Sequence, residues 1–348
     1  MKKVLVLLAA AVFVVAFTAP AFSADWSFYG SSRMQTNWLD RDKEVAGTNF
    51  DDTDLTWAQQ GNSRIGANVK AGDIAGRFEY GTGVNVRILW GEWDFGSGKL
   101  GIGQNYTPAN FFISNQIFAG DTDMLPYGGI YSGRRQMIRF TFGAFQFAFV
   151  NPDAALTLAG ANDTDTTIPK LEARWNHSFG PVFIEFGGLY NSYDEVNTAT
   201  DQEIGIDSYI LYGGFKYSMG AFYFNGDLYI GQNLGNCDVW TVGAAAATIK
   251  AGGNDVDDND SFGWLAVIGY KANDMIKLEA GYGMAEHEPG WANANEDDVS
   301  AWYVQAVINL AKGVFVVPEF GQVDFKDSAA NVDQGKQTYL AAKWQINF

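Results

Sequence analysis

Few side chains in this sequence could make or break a covalent bond. There are two histidines, His177 and His287, and one cysteine, Cys237. No G-x-S-x-G elbow and no close histidine pair accompanies them, so neither an activated nucleophile nor a His-rich metal site is legible. His177 shares a parity with Leu171, Ala173 and Trp175, as an interfacial residue would, and His287 falls in an acidic loop. Cys237 sits in the polar run Gly235-Asn236-Cys237-Asp238 and reads as an incidental loop thiol without a disulfide partner. An enzyme is therefore not expected. What remains is electrostatic chemistry. Arg33, Arg64, Arg77, Arg87, Arg135, Arg139 and Lys343 each alternate with apolar neighbours, as Arg64 does with Ile65 and Arg87 with Val86 and Ile88. Dense acidic runs, Asp51-Asp52-Thr53-Asp54, Asp255 through Asp260 and Glu296-Asp297-Asp298, suit a solvated, repulsive rim. Carboxylates are also hard oxygen ligands, which makes Asp255, Asp257 and Asp258 candidate donors to a divalent cation, although none of these runs has the glycine placement of an EF-hand loop. A formal charge of −17 argues against nucleic acid as a partner, because phosphate binding needs clustered Lys and Arg.

Alternating charges need elements with a period of two. The last twelve residues show it plainly: Thr338, Leu340, Ala342, Trp344, Ile346 and Phe348 on one face, Gln337, Tyr339, Ala341, Lys343, Gln345 and Asn347 on the other. Similar patterns place strands near 26–38, 61–70, 75–82, 84–94, 98–105, 134–142, 145–151, 168–178, 181–192, 207–217, 221–232, 261–271, 275–286, 299–309, 313–325 and 336–348. Sixteen is an even number, as an up-and-down barrel in a bacterial outer membrane requires. Short turns such as Gly143-Ala144 and Phe179-Gly180-Pro181 alternate with long connections at 39–60, 106–133, 152–167, 193–206, 233–260, 287–298 and 326–335. Sorting by length onto two rims is the outer-membrane pattern, and a soluble sandwich has no reason for it. A charged side chain facing lipid at the midplane costs about 2–4 kcal/mol, so the charged parity must face a polar lumen. The expected fold is thus all-β, a transmembrane antiparallel barrel.

The amino terminus agrees. Lys2 and Lys3 precede an apolar run from Val4 to Phe17, and Ala21-Phe22-Ser23 fits a signal-peptidase site. A signal peptide is expected at 1–23 and a single barrel domain at 24–348, with the mature charge at −19 once Lys2 and Lys3 are removed from −17. Aromatics at 15% and 40 glycines against 8 prolines favour one large β domain with interfacial girdles over two ordinary ones.

From Ser63 onward the chain resembles the sixteen-stranded general porins of enterobacterial outer membranes. Ser63-Arg64-Ile65-Gly66 is similar to their A-R-L-G strand and Asn85-Val86-Arg87-Ile88-Leu89 to a T-R-L-x strand. Gly98-Lys99-Leu100-Gly101-Ile102-Gly103-Gln104-Asn105-Tyr106 is similar to G-x-x-x-x-G-R-N-Y, and Ile117-Phe118-Ala119-Gly120-Asp121-Thr122 to E-F-G-G-D-T. No motif matches in the second half, where only the strand rhythm agrees. The resemblance implies a homotrimer in bilayer and lipopolysaccharide, after export to the periplasm. It also implies a third loop folded into the lumen, and passive diffusion of ions and small hydrophilic solutes. It sets Asp121, with Asp123 as a substitute for the missing loop glutamate, against a wall of Arg64, Arg87 and Arg139, with Arg33, Arg77 and Lys343 lining the pore nearby. Ile117 and Gln104 depart from the pattern, which leaves the ion preference open. Two alternatives stand: a substrate-selective channel for a sugar or small organic anion, for which Tyr223, Tyr229, Tyr303 and Tyr339 on the interior parity could form an aromatic slide, and a structural or adhesive barrel.

Overall fold

In the structure, a computed structural model that describes residues 24–156, 158, 161–250 and 255–348, the alternating segments become sixteen antiparallel strands. They are β1 (Asp25–Arg41), β2 in two pieces (Asp52–Gln59 and Arg64–Ala71), β3 (Ile74–Gly81), β4 (Val86–Asp94), β5 (Lys99–Tyr106), β6 (Arg134–Phe142), β7 (Phe145–Val150) and β8 (Lys170–Phe179). β9 (Val182–Asn197), β10 (Gln202–Met219), β11 (Phe222–Gln232), β12 (Asn259–Lys271), β13 (Ile276–Pro289), β14 (Asp297–Ala311), β15 (Val314–Asp324) and β16 (Lys336–Asn347) complete them. The expected signal segment, 1–23, lies outside the described residues.

Each strand pairs with its sequence neighbours, and β16 pairs with β1 from Ser31↔Asn347 to Arg41↔Gln337. This closure removes every open edge, which hydrocarbon demands because it offers backbone groups no other partner. Phe348 finishes the seam: its N–H donates to the Gly30 carbonyl at 3.0 Å, and the Gly30 N–H donates to its carbonyl at 2.7 Å. Glycine at position 30 lets the Phe348 ring lie close over it, since a Cβ there would stand 2.5 Å from the ring in this position.

The two parities separate as the sequence predicts. Leu340, Trp344, Ile346 and Phe348 are exposed on the outside, while Tyr339, Ala341 and Gln345 are buried inside. The seven turns on one rim are short, and the connections on the other vary widely. Two outer connections are shorter than predicted. β2 begins at Asp52 and pairs with the outer half of β1, so half of 39–60 is strand. Likewise β9 and β10 pair out to Asn197↔Gln202, leaving only four residues between them. Charge in these segments reads as loop, but strand ends above the membrane tolerate it: Arg41 and Asp52 are register partners joined at 2.6 Å.

The break in β2 positions side chains. At 60–63 the strand bulges; the Gln60 N–H donates to the Arg33 carbonyl and the Arg33 N–H to Ser63 Oγ, both at 3.0 Å. A bulge re-aims side chains locally, and here it turns Gln60 and Asn62 toward the lumen.

Candidate functional site: the charged constriction

The 107–133 connection does not leave the barrel. Its backbone travels around the inner wall, held by carboxylates that the strands project inward. Glu172 of β8 accepts the Ala109 N–H at 2.8 Å, Glu279 of β13 accepts the Asn115 N–H at 2.8 Å, and Glu319 of β15 accepts those of Ile117 and Phe118 at 2.8 and 3.1 Å. Buried N–H groups without strand partners need acceptors, and a charged acceptor roughly doubles the strength of each bond. Apolar contacts add to this: the Phe118 ring stacks on Tyr339 at 3.9 Å. On the return path Gly128 has φ +99°, and a Cβ there would meet the backbone carbonyls of Trp264 and Met284, so the loop lies flat on the wall.

The loop tip carries Asp121. Its carboxylate accepts from Arg33 of β1 at 2.7 Å and Lys343 of β16 at 3.0 Å, and from Gln60 and Asn62 of the bulge at 3.1 and 3.0 Å. Burial would raise this carboxyl, but the charges of Lys343 and Arg33 hold it below the usual carboxylate range. Among the described residues Asp123 makes no ion pair; burial, with the Asp121 charge added, pushes its carboxyl well up against the weaker pull of Lys343.

Between this loop and the wall lies a cavity of about 570 Å³. Arg33, Arg64, Arg87, Arg134, Lys277 and Lys343 reach it, against the acids Asp121 and Asp123. Behind them Glu79, fully buried, holds Arg87 at 2.8 Å, Arg77 at 2.8 Å and Arg64 at 3.4 Å. Glu279 holds Lys277 at 3.6 Å. With Arg77, Glu79 and Glu279 included, cations exceed carboxylates by three, in a chain whose formal charge is −17. Such a site sets fixed charges of both signs, with cations in excess, around a narrow aqueous space.

A closed sixteen-stranded barrel with an inserted third loop and a charged waist calls for comparison with known channels. The sequence pattern of the Gram-negative porin family matches residues 9–328. The chain belongs to that family. No curated protein sequence matches it significantly. Among solved structures, the outer-membrane channel DcaP of Acinetobacter baumannii is similar at TM-score 0.74 and 15% identity, covering 93% of this chain and 97% of that one. The anion-selective porin of Comamonas acidovorans is similar at 0.63 and 14% (94% and 100%), and OmpT of Vibrio cholerae at 0.60 and 17% (93% and 98%). This porin is an outer-membrane barrel that forms a channel for passive diffusion.

The structure brings together in the porin's cavity Arg64, Arg87, Arg33, Lys343, Asp121 and Asp123. Some sequence expectations need correction. Arg139 faces inward but not at this level: it lies five residues past Arg134, roughly 17 Å along the strand at ~3.4 Å per residue, where it pairs with Glu92 at 3.3 Å and covers the Trp90 ring. Arg77 is on the inward parity outside this cavity, held by Glu79 and Tyr29. Asp121 touches Arg33 and Lys343 directly, and Arg64 and Arg87 line the same cavity. The four tyrosines expected to form an aromatic slide do not form one: Tyr229, Tyr303 and Tyr339 are buried, the last under Phe118, and the Tyr223 hydroxyl is bound to Glu279. The acidic run also divides: Asp255 pairs with Lys250 at 2.6 Å and Asp258 accepts from Asn233 at 2.7 Å. Among the described residues the carboxylates that converge are Glu286, Glu296 and Asp298, with ligand atoms within 4.8 Å of one another.

Sequence reasoning missed a second inward loop. The described part of 233–258 folds into the lumen, where Lys170 Nζ donates to the Cys237 carbonyl at 2.8 Å and the Trp240 N–H to that of Tyr131 at 2.9 Å. Cys237 is fully buried there, and desolvation pushes its thiol up to about 12. His287 belongs to the outer end of β13 and to no loop; it is buried, with Nδ1 at 2.8 Å from Ser261 Oγ and Nε2 at 3.0 Å from the Val242 carbonyl. His177 does lie on the outer face, between Trp175 and Phe179.

Proposed function

We propose that this porin is an anion-preferring diffusion channel. The observation behind the reading is the surplus of cations around the cavity, where Asp121 is already neutralised by Arg33 and Lys343 and Asp123 has its carboxyl pushed up. An anion leaving water for a narrow waist keeps favourable interactions only where fixed positive charge replaces its hydration. The same site must release it, so moderate attraction from several half-neutralised guanidiniums serves transport better than one tight site. Fold similarity to an anion-selective porin agrees, though at 14% identity it speaks for the barrel alone.

The assay is uptake into proteoliposomes. Galacturonate should enter faster than galactose, a neutral solute of nearly the same size. Equal or slower uptake of the acid contradicts the proposal.

The biological setting belongs to the same reading. The segment 1–23 directs export to the periplasm, and the outward apolar belt, with Ile65, Leu89, Trp344 and Ile346 exposed, contacts lipid and neighbouring barrels. OmpT of Vibrio cholerae has a trimer form, and a homotrimer is proposed here, to be checked by the mass of the detergent complex. Lipopolysaccharide contact at the acidic rim through divalent cations would appear as a melting temperature lowered by chelators.

A further inference from the structure

The cavity has a second character that anion preference alone does not use. One side of it is aromatic: Tyr106, Phe112, Tyr131 and Trp240 line it together. These rings meet edge to face. Tyr106 and Phe112 are 5.4 Å apart at 83°, Phe112 and Tyr131 5.8 Å at 67°, and Tyr131 and Trp240 5.8 Å at 62°. An edge-to-face pair covers one face of one ring and leaves the other faces open. Trp240 in particular is 41% exposed inside the barrel. Its backbone is fixed, since the Trp240 N–H donates to the Tyr131 carbonyl, so the ring is presented and not merely adrift on a loop.

Guanidiniums flank this wall. Arg134 lies over the Tyr106 ring at 5.1 Å, its Nη1 donates to the Tyr106 hydroxyl at 3.0 Å, and no carboxylate pairs with it among the described residues. The Tyr131 hydroxyl is within electrostatic reach of both Arg134 and Arg87. A planar fork that can take a carboxylate with two parallel hydrogen bonds therefore stands beside a ring surface that can take a flat apolar body.

We infer that the constriction favours aromatic carboxylates, a benzoate-like anion with its carboxylate on Arg134 and its ring on Trp240 and Tyr131, over aliphatic carboxylates of the same size. The inference rests on the anion reading above and narrows it to a solute class. Face-to-ring contact exceeds plain apolar burial by a modest amount, so the expected preference is about 2- to 10-fold. That is strong enough to select and weak enough to release.

The test uses the intact porin in planar bilayers. Zero-current potentials under gradients of potassium chloride, potassium benzoate and potassium cyclohexanecarboxylate give the relative permeabilities. The wild type should pass benzoate at least twofold better than cyclohexanecarboxylate, and Trp240→Leu, which keeps an apolar side chain but no ring, should bring that ratio near one. Equal permeability of the two acids in the wild type overturns the inference while leaving a chloride preference standing. A ratio that persists in Trp240→Leu overturns the assignment to this wall. A wild type that prefers potassium to chloride removes the anion reading itself, and this inference with it.

Discussion

Replacing Arg64 and Arg87 together by alanine probes the charge surplus where its geometry is best defined. Both guanidiniums sit on Glu79, which would keep Arg77 and the Tyr29 hydroxyl, each at 2.8 Å. The buried carboxylate thus stays paired, and the barrel should still assemble. The surplus around the cavity falls from three charges to one. A unit charge about 8 Å from a permeating ion is worth roughly 0.5 kcal/mol in water. Salt near 0.1 M, with a Debye length of about 10 Å, reduces that by roughly half. An anion loses this attraction and a cation is relieved of the matching repulsion, so each lost charge changes the anion–cation difference by about 0.5 kcal/mol and the pair by about 1 kcal/mol. At ~1.4 kcal/mol per tenfold, the chloride-to-potassium permeability ratio should fall about fivefold. Single-channel conductance should rise as well, because two large side chains leave the cavity. The assay is the zero-current potential across a planar bilayer with a potassium chloride gradient, on protein shown by heat-dependent gel mobility to be folded. An unchanged potential in folded protein would refute the reasoning, since it would mean that these charges do not face the ion path.

The remaining predictions test the surroundings. Glu319→Ala removes the acceptor of the Ile117 and Phe118 N–H groups; it should destabilise the loop by about 1.5–3 kcal/mol for each charge-assisted bond lost and make the single-channel current noisy, whereas a quiet current would show that other contacts hold the loop. Cys237, buried with its thiol raised, should resist a maleimide in the folded barrel at pH 7 and react fully after heat unfolding; prompt labelling of the native form would place the 233–258 loop outside the lumen. Gly30→Val should displace the Phe348 ring from the seam and lower the yield of folded barrel several-fold, with Gly30→Ala intermediate; normal assembly of both would mean that the ring contact is dispensable.

How much of this was legible depends on which property a residue pattern encodes. Facing is encoded, because a strand has a period of two and lipid punishes errors in it. That is why Arg64, Arg87, Arg139 and Lys343 all point inward as their neighbours imply. Depth is not encoded. Arg139 shares its parity with Arg64 but lies near the short-turn rim, beside Glu92, and nothing in its flanking residues distinguishes the two levels. Loop path is encoded weakly. Glu319 is an isolated acid on the inner parity of an otherwise apolar strand, a signal that something polar must meet it, whereas Glu172 and Glu279 share their parity with Lys170, Arg174 and Lys277; neither pattern says which loop arrives. The 233–258 loop was misread for a related reason. Its polar run around Cys237 suits an exposed loop, but the same asparagines satisfy an inward one: Asn236 Oδ1 accepts the Ala247 N–H at 2.8 Å. Charged strand ends such as Asp52–Gln59 and Gln202 onward read as loop because composition shifts above the membrane while hydrogen bonding does not.

The central claim is that the fixed charge at the waist, and not the −17 of the whole chain, decides which ions pass. The most direct measurement is the zero-current potential of the wild-type channel in a tenfold potassium chloride gradient, repeated at low and high salt. The expected potential has the sign given by chloride preference and shrinks as salt screens the surplus. A potential of the opposite sign at low salt, showing that potassium passes more readily, would contradict it.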